Sequence, residues 1–307
     1  MKKWIAVFLC VLLLCGCGKT AAEPEATEPA TEPAPVLKID PLCDGQSLKI
    51  LAIGNSFSNN TTEHLYDIAM AEGMTDVTIG RLYIGSCTLQ MHAENAENDA
   101  PNYTYYKNTI GLWDKTENVT MLHGIQDEDW DIITIQQNSG KSGLPESFDG
   151  YLEAVVDYVN QNKTNPDAKL VWHMTWAYQG DSTQKAFQDY GSNQDRMYTS
   201  IVKTMQEKIL PNEAFVGMIP AGTAVQNART SYFGDTLTDD GYHLNKLGKM
   251  VASYCWYARL TGKTLDKVSL SYIPGLSLSE NDKAVIMESV NNALLHPYEV
   301  TPSTYTS

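Results

Sequence analysis

Long apolar runs, metal-ligand arrays, paired cysteines and excess basic charge are scarce or missing in this 307-residue chain, and each shortage removes a class of function. Six cysteines are present, yet no CxxC or HxxxH array stands ready for zinc. The six histidines, at 64, 92, 123, 173, 243 and 296, are scattered, which argues against a metal centre. Lysine and arginine total 22 against 37 acidic residues, a formal charge of −15. Such a surface repels nucleic acid and anionic lipid, so no nucleic-acid partner is expected. Solenoid repeats and heptads are absent. So is the G-x-S-x-G elbow of one hydrolase class, because Ser58 stands where its last glycine belongs.

The apolar run Trp4 to Leu14, behind Lys2 and Lys3, is too short for a comfortable permanent span and reads as a secretion signal over 1–16. It ends in Leu14-Cys15-Gly16-Cys17, which resembles a bacterial lipobox, whose cysteine is diacylated and becomes the new N-terminus. Lipid at Cys17 would tether the protein outside the cytoplasm on the bacterial cell membrane, each buried methylene contributing roughly 0.8 kcal/mol. Residues 17–36, rich in Pro, Glu, Thr and Ala, have little to bury and read as an extended linker. Composition turns globular from about Leu37, and 37–307 suits one domain. Cleavage removes Lys2 and Lys3, making the mature chain two units more negative. With Cys10 and Cys15 lost and Cys17 lipidated, Cys43, Cys87 and Cys255 remain; an odd number argues against a disulfide framework while leaving one bridge open.

The globular part alternates short β-rich runs with amphipathic stretches. "LKILAIG", "TDVTIGRLYIG", "WDIITIQQ", "KLVWHMTWA" and "AFVGMIP" read as strands ended by polar turns. "TEHLYDIAMAEGM", "FDGYLEAVVDYVNQNKT", "QKAFQDYGSNQDRMYTSIVKTMQEKIL", "NKLGKMVASYCWYARLTGK" and "ENDKAVIMESVNNALL" carry apolar residues three or four apart and read as helices. This order predicts a three-layer α/β/α fold with a parallel sheet, whose functional groups collect beyond the carboxyl ends of the strands. Residues 92–127, rich in Asn, Tyr and Thr, read as an inserted loop with a short hairpin near the site.

Two segments carry chemistry. After "ILAI", the turn Gly54-Asn55-Ser56-Phe57-Ser58 sets Ser56 just past a strand end, at the start of a helix whose unpaired N–H groups favour developing negative charge. Ser56 reads as a nucleophile or as a helix cap, although Ser58, Asn59 and Asn60 suit capping better. A serine hydroxyl needs a base. "TLTDDGYHLNKLG" supplies one: Asp240 precedes His243 by three residues, with Gly241 allowing a tight turn, so one loop offers both base and orienter. Asp239 competes as orienter, and a solvent-exposed turn capping the next helix is the plainer reading.

A strand followed by G-N-S, with D-G-Y-H near the end, resembles the SGNH (GDSL-type) hydrolases, a flavodoxin-like superfamily of esterases and deacetylases. "QQNSGKSG" at 136–143, "HMTWAYQGDS" at 173–182, "IPAGTAVQNAR" at 219–229 and "DGYHLNKLG" at 240–248 resemble a secreted bacterial branch of it, catalogued as a domain of unknown function. The resemblance implies Ser56 as nucleophile, His243 as base and Asp240 as its partner. It implies Gly85 as an oxyanion donor, with Gln137 or Asn138 supplying a side-chain amide where relatives carry G-x-N-D; alternation along the strand favours Gln137. Trp176, Tyr178 and Tyr242 are expected around a sugar-binding pocket or in core packing, and His173, mid-strand, as a core residue. The implied function is hydrolysis of short acyl esters, acetyl foremost, on carbohydrate or cell-wall glycan, with no metal or organic cofactor. The alternative is a catalytically inactive glycan-binding surface lipoprotein.

Overall fold

The computed structural model describes residues 39–270 and 276–307, so the expected signal segment 1–16, the lipidation site Cys17 and the linker 17–36 lie outside the described residues. The chain enters through β1 (Ser47–Gly54), α1 (Ser56–Thr62), α2 (Leu65–Ala71), β2 (Asp76–Tyr83) and α3 (Leu89–Glu97). A hairpin of β3 (Tyr103–Asn108) and β4 (Trp113–Val119) precedes α4 (Met121–Gln126), β5 (Ile132–Ile135) and α5 (Tyr151–Asn162). Then come β6 (Lys169–His173), α6 (Gln194–Thr204), β7 (Phe215–Ile219), α7 (Ala221–Arg229), α8 (Lys246–Thr261) and α9 (Glu280–Leu295).

The strands form one sheet in the order β4-β3-β2-β1-β5-β6-β7. The five from β2 to β7 are parallel. Their central members are apolar on both faces, as a sheet covered by helices requires: Leu48, Ile50, Leu51, Ile53 and all of Ile132–Ile135 are buried. Neighbouring residues of β2 separate the two helical layers. Leu82 packs on Gly124 of α4, while Arg81, on the opposite face by strand alternation, lies over the Trp113 ring at 3.4 Å. On one side α3, α4 and α5 pack together; on the other, α8 joins α1, α2, α7 and α9. From β1 the chain goes first to β2 on one side and later to β5 on the other. A crevice therefore opens beyond the carboxyl ends of β1 and β5, where loops diverge.

Three departures from the sequence expectations have local causes. The sheet is mixed, not wholly parallel: β3 and β4 are antiparallel extensions of the β2 edge. The short turn at Gly111, with φ of +84°, can join only antiparallel neighbours. The stretch 184–210 is not one helix. A 3-10 turn, Lys185–Tyr190, ends at Gly191 and Ser192 in left-handed conformation (φ 65° and 49°), and Asn193 caps α6 anew by accepting the Arg196 N–H at 2.8 Å. "TEHLYDIAMAEGM" is helical as α2 only from Leu65, since Thr62 ends α1. Cys43, Cys87 and Cys255 are free thiols.

Candidate active site

Gly54 ends β1 where a Cβ would overlap Ser58 Oγ and Gln136 Oε1. That close approach lets the chain turn under the end of β5. Asn55, extended at φ −136°, then caps α1 through Oδ1, which accepts the Phe57 N–H at 3.0 Å. Capping thus falls to Asn55 and not to Ser58, Asn59 or Asn60, because only the residue directly before the first helical turn has the extended backbone a cap needs. Ser58 instead donates its hydroxyl to Gln136 Oε1, and Gln136 Nε2 donates to Asn55 Oδ1 at 2.9 Å. The turn is held from beneath, and Ser56, first residue of α1, keeps its side chain free for the crevice.

His243 reaches that side chain across 187 residues of sequence: its Nε2 lies 2.8 Å from Ser56 Oγ. Its Nδ1 lies 2.7 Å from Asp240 Oδ2. Asp240 Oδ1 also accepts the backbone N–H of His243 at 2.8 Å and of Tyr242 at 3.2 Å. Gly241 makes the turn possible at φ +88°, a region costly for side chains with a Cβ. Burial pushes the Asp240 carboxyl up, but hydrogen bonds from the His243 backbone, the His243 ring and the Tyr242 backbone outweigh it and hold the group below the usual carboxylate range. A carboxylate at Nδ1 fixes the ring proton there and leaves Nε2 as the acceptor facing the serine. Asp239 gives the turn only a backbone bond, its N–H to His243 O at 2.9 Å.

Other bonds hold the two segments in register. Asn60 Oδ1 accepts the Leu244 N–H at 2.9 Å, Ser253 of α8 donates to Thr61 O at 2.8 Å, and Lys249 pairs with Glu63 at 2.7 Å. Trp176 lies beneath, fully buried, stacked on Phe57 at 4.1 Å and donating its Nε1–H to Tyr242 O at 2.8 Å. Trp176 therefore supports the site from the core and does not line a substrate pocket. His173 is likewise buried, its Nδ1 3.3 Å from Gln136 Oε1, and burial pulls its pKa down to about 3.

A cavity of about 450 Å³ opens beside Ser56. Ser86, Asn138, Ser139, Tyr178 and Tyr242 line it near the serine, and Gln184, Lys185, Gln188 and Asp189 form an outer wall. The Tyr242 ring lies 3.9 Å from that of His243, and Tyr178 Oη is 3.0 Å from Ser139 Oγ. Among the described residues, none from 92–127 lines this cavity: the hairpin belongs to the far sheet edge, not to the site's rim.

The two amide candidates part ways here. Gln137 is buried and fully engaged: Oε1 accepts the N–H groups of Leu89 (2.9 Å) and Asn138 (2.8 Å), while Nε2 donates to Ser147 O and Oγ at 3.0 and 3.1 Å. Its amide holds loops together and does not line the cavity beside Ser56. Strand alternation misleads because β5 ends at Ile135, before either glutamine. Asn138 does line the cavity, with Oδ1 accepting the Gly140 N–H and Nδ2 donating to Ser86 O, both at 3.0 Å. One amide hydrogen of Asn138 is left over. Gly85 sits in the exposed turn after β2, but the cavity wall takes the next residue, Ser86, held at φ 55°.

Sequence reasoning missed Asn55, Gln136, Asn60 and the wall at 184–189. Asn55 had a signal, an Asn directly before a helix start; the others are brought to the site by the fold alone.

The fold is thus a three-layer α/β protein in which a serine, a histidine and an aspartate stand in hydrogen-bonded series beyond the carboxyl ends of the strands. The family described as Domain of unknown function (DUF4886) matches residues 49–285, and the chain belongs to it. A crystal structure of a DUF4886 family protein from Bacteroides uniformis ATCC 8492 is similar over 84% of this chain and 98% of that one, at 36% identity and a TM-score of 0.77. More distant likenesses include a putative SGNH hydrolase from Slackia heliotrinireducens (17% identity, 70% and 99% covered, TM-score 0.45). An acetylxylan esterase mutant from Geobacillus stearothermophilus is similar at 9% identity (76% and 100% covered, TM-score 0.44). No curated protein matches the sequence.

Proposed function

We propose that the chain is a serine esterase that removes short acyl groups, acetyl foremost, from hydroxyls of carbohydrate. The observation that carries this reading is the unbroken series Asp240 Oδ2, His243, Ser56 Oγ, with links of 2.7 and 2.8 Å, opening on a cavity. His243 Nε2 takes the Ser56 proton as Oγ attacks the ester carbonyl carbon. The oxyanion is met by the Ser56 N–H, one of the donors a helix start leaves unbonded, and by the spare Asn138 amide hydrogen. His243 returns the proton to the departing alkoxide, and the carbonyl reforms as an acyl-serine. Water, deprotonated by His243, then releases the acid and restores the serine.

The outer wall favours a hydroxyl-rich alcohol over a long lipid: Gln184, Lys185, Gln188 and Asp189 offer donors and acceptors, and Tyr242 offers a ring face. In the same reading the domain works outside the cytoplasm on a tether from lipidated Cys17. The test is turnover of a chromogenic acetyl ester by the chain and by Ser56→Ala, followed by acetate release from acetylated glycans. Loss of turnover in Ser56→Ala of at least a thousandfold is expected, by the general behaviour of serine triads. Glycan binding without Ser56-dependent turnover would sink the esterase reading and favour a binding lipoprotein.

A further inference from the structure

The relay uses Ser56, Asp240 and His243 but gives no role to two other stretches, "HMTWAYQGDS" and "IPAGTAVQNAR". In the fold they meet. Arg229, the last residue of the second stretch, ends α7 with its guanidinium almost wholly enclosed: its side chain is 3% exposed. It donates to Ala177 O at 3.0 Å, inside the first stretch, and to Gln226 Oε1 at 3.1 Å. Its Nε lies 2.9 Å from Asp235 Oδ1. Burial works against the charge on Arg229, and Asp235 is the carboxylate that opposes this.

Asp235 is the hub. Its Oδ2 accepts the Gly180 N–H at 2.7 Å, and its Oδ1 accepts from Gln194 Nε2 at 2.9 Å. Gln194 Nε2 also reaches Tyr178 O at 2.9 Å, and Gln194 Oε1 accepts from Gln226 Nε2 at 3.1 Å. One residue before Gly180, Gln179 grips the catalytic turn itself. Its N–H donates to Gly241 O at 2.8 Å, and its Oε1 accepts the Thr238 hydroxyl at 2.5 Å. Gly241 lies between Asp240 and His243. An ion pair, Arg229 to Asp235, followed by hydrogen bonds through Gly180 and Gln179, thus links the buried Arg229 to the backbone of the turn carrying base and orienter. Arg229, Asp235, Gly180 and Gln179 are not among the residues lining the cavity beside Ser56. A buried cation with one carboxylate partner is a poor route to stability alone, since an apolar pair of similar volume often does as well. Specifying the position of a loop is a better account of why it is there.

We propose that Arg229 and Asp235 form a positioning pair that sets the Asp240–His243 turn at the height needed to reach Ser56. The pair acts through the 178–182 loop and not on substrate. The inference rests on the esterase reading for its kinetic arm but not for its structural one.

Four variants test it: Asp235→Ala, Arg229→Met, the two combined, and Gln179→Ala. Turnover of a chromogenic acetyl ester, thermal stability, and crystal structures are the readouts. Asp235→Ala is expected to lower kcat at least tenfold with KM within about twofold, because the relay is misaligned while the cavity wall is kept. The combined variant removes the unpaired buried charge, so it should regain Tm over the single variants without regaining kcat. Gln179→Ala, a half-buried change that spares the ion pair, should reproduce part of the kcat loss even if Asp235→Ala fails to fold. In the crystal structures the His243 Nε2 to Ser56 Oγ separation should exceed hydrogen-bond reach. Recovery of parental kcat together with Tm in the combined variant, or an unchanged contact in Gln179→Ala with parental kcat, would overturn the proposal. If the parent chain shows no turnover at all, the esterase reading fails, and the crystallographic separation alone decides the positioning role.

Discussion

At the scale of single residues, the site separates side chains that face the crevice from side chains that hold the loops beneath it. Asn138 and Gln137 are sequence neighbours with the same amide chemistry, yet only Asn138 has a hydrogen to spare at the cavity. Gln137 spends both ends of its amide on protein partners. Asn138→Ala should therefore lower kcat about a hundredfold to a thousandfold, the usual effect of losing one oxyanion donor. Its stability should fall by about 0.5–2 kcal/mol, for the lost cap on Gly140 and bond to Ser86. Gln137→Ala should spare kcat, costing about 1–3 kcal/mol in urea melts by leaving buried N–H and C=O groups unpaired. Paired kinetic and denaturation measurements on the two variants check this; equal kcat losses would return Gln137 to the oxyanion.

Among the elements, β1, α1 and α8 do most to fix the site. β1 and β5 deliver Gly54 and Gln136 side by side at the switch point, α1 presents Ser56 as its first residue, and α8 packs on α1 directly after the His243 turn. Trp176 wedges below the join, bridging Phe57 of α1 and the carbonyl of Tyr242. Two substitutions divide its contribution. Trp176→Phe keeps an apolar ring but loses the indole N–H, costing about 1 kcal/mol. Trp176→Ala opens a cavity as well and should cost about 3–5 kcal/mol, read as a lower denaturation midpoint. A loss for Trp176→Ala no larger than for Trp176→Phe would mean that the ring's packing contributes little. Both strands and helices at this scale were largely legible, because the 2.0 and 3.6 periods follow directly from which faces are covered. The missed breaks at 191–193 and 62–65 are places where a Gly–Ser–Asn turn or a helix end interrupts a pattern whose apolar spacing continues across it.

For the whole molecule, residues 37–307 cluster as one compact unit. A chain begun at residue 37 is expected to keep the Tm and turnover of the longer protein, because the site and its supports are all drawn from this unit. If Cys17 carries lipid as proposed, the full chain expressed in a bacterium should enter the detergent phase on detergent phase separation, and Cys17→Ala should stay in the aqueous phase. Equal partitioning of the two would remove the lipid tether from the proposed function.

The sequence by itself determined the α/β class, the strand ends that bear chemistry, and the local unit Asp240-Gly241-Tyr242-His243, because backbone periodicity, turn geometry and a three-residue offset are short-range properties. Only the tertiary structure decided that His243 meets Ser56, that Asn138 and not Gln137 faces the cavity, and that Trp176 is a support. Those outcomes depend on which loops cross above the sheet. Loop crossing is set by the packing of distant elements, which leaves no local pattern to read.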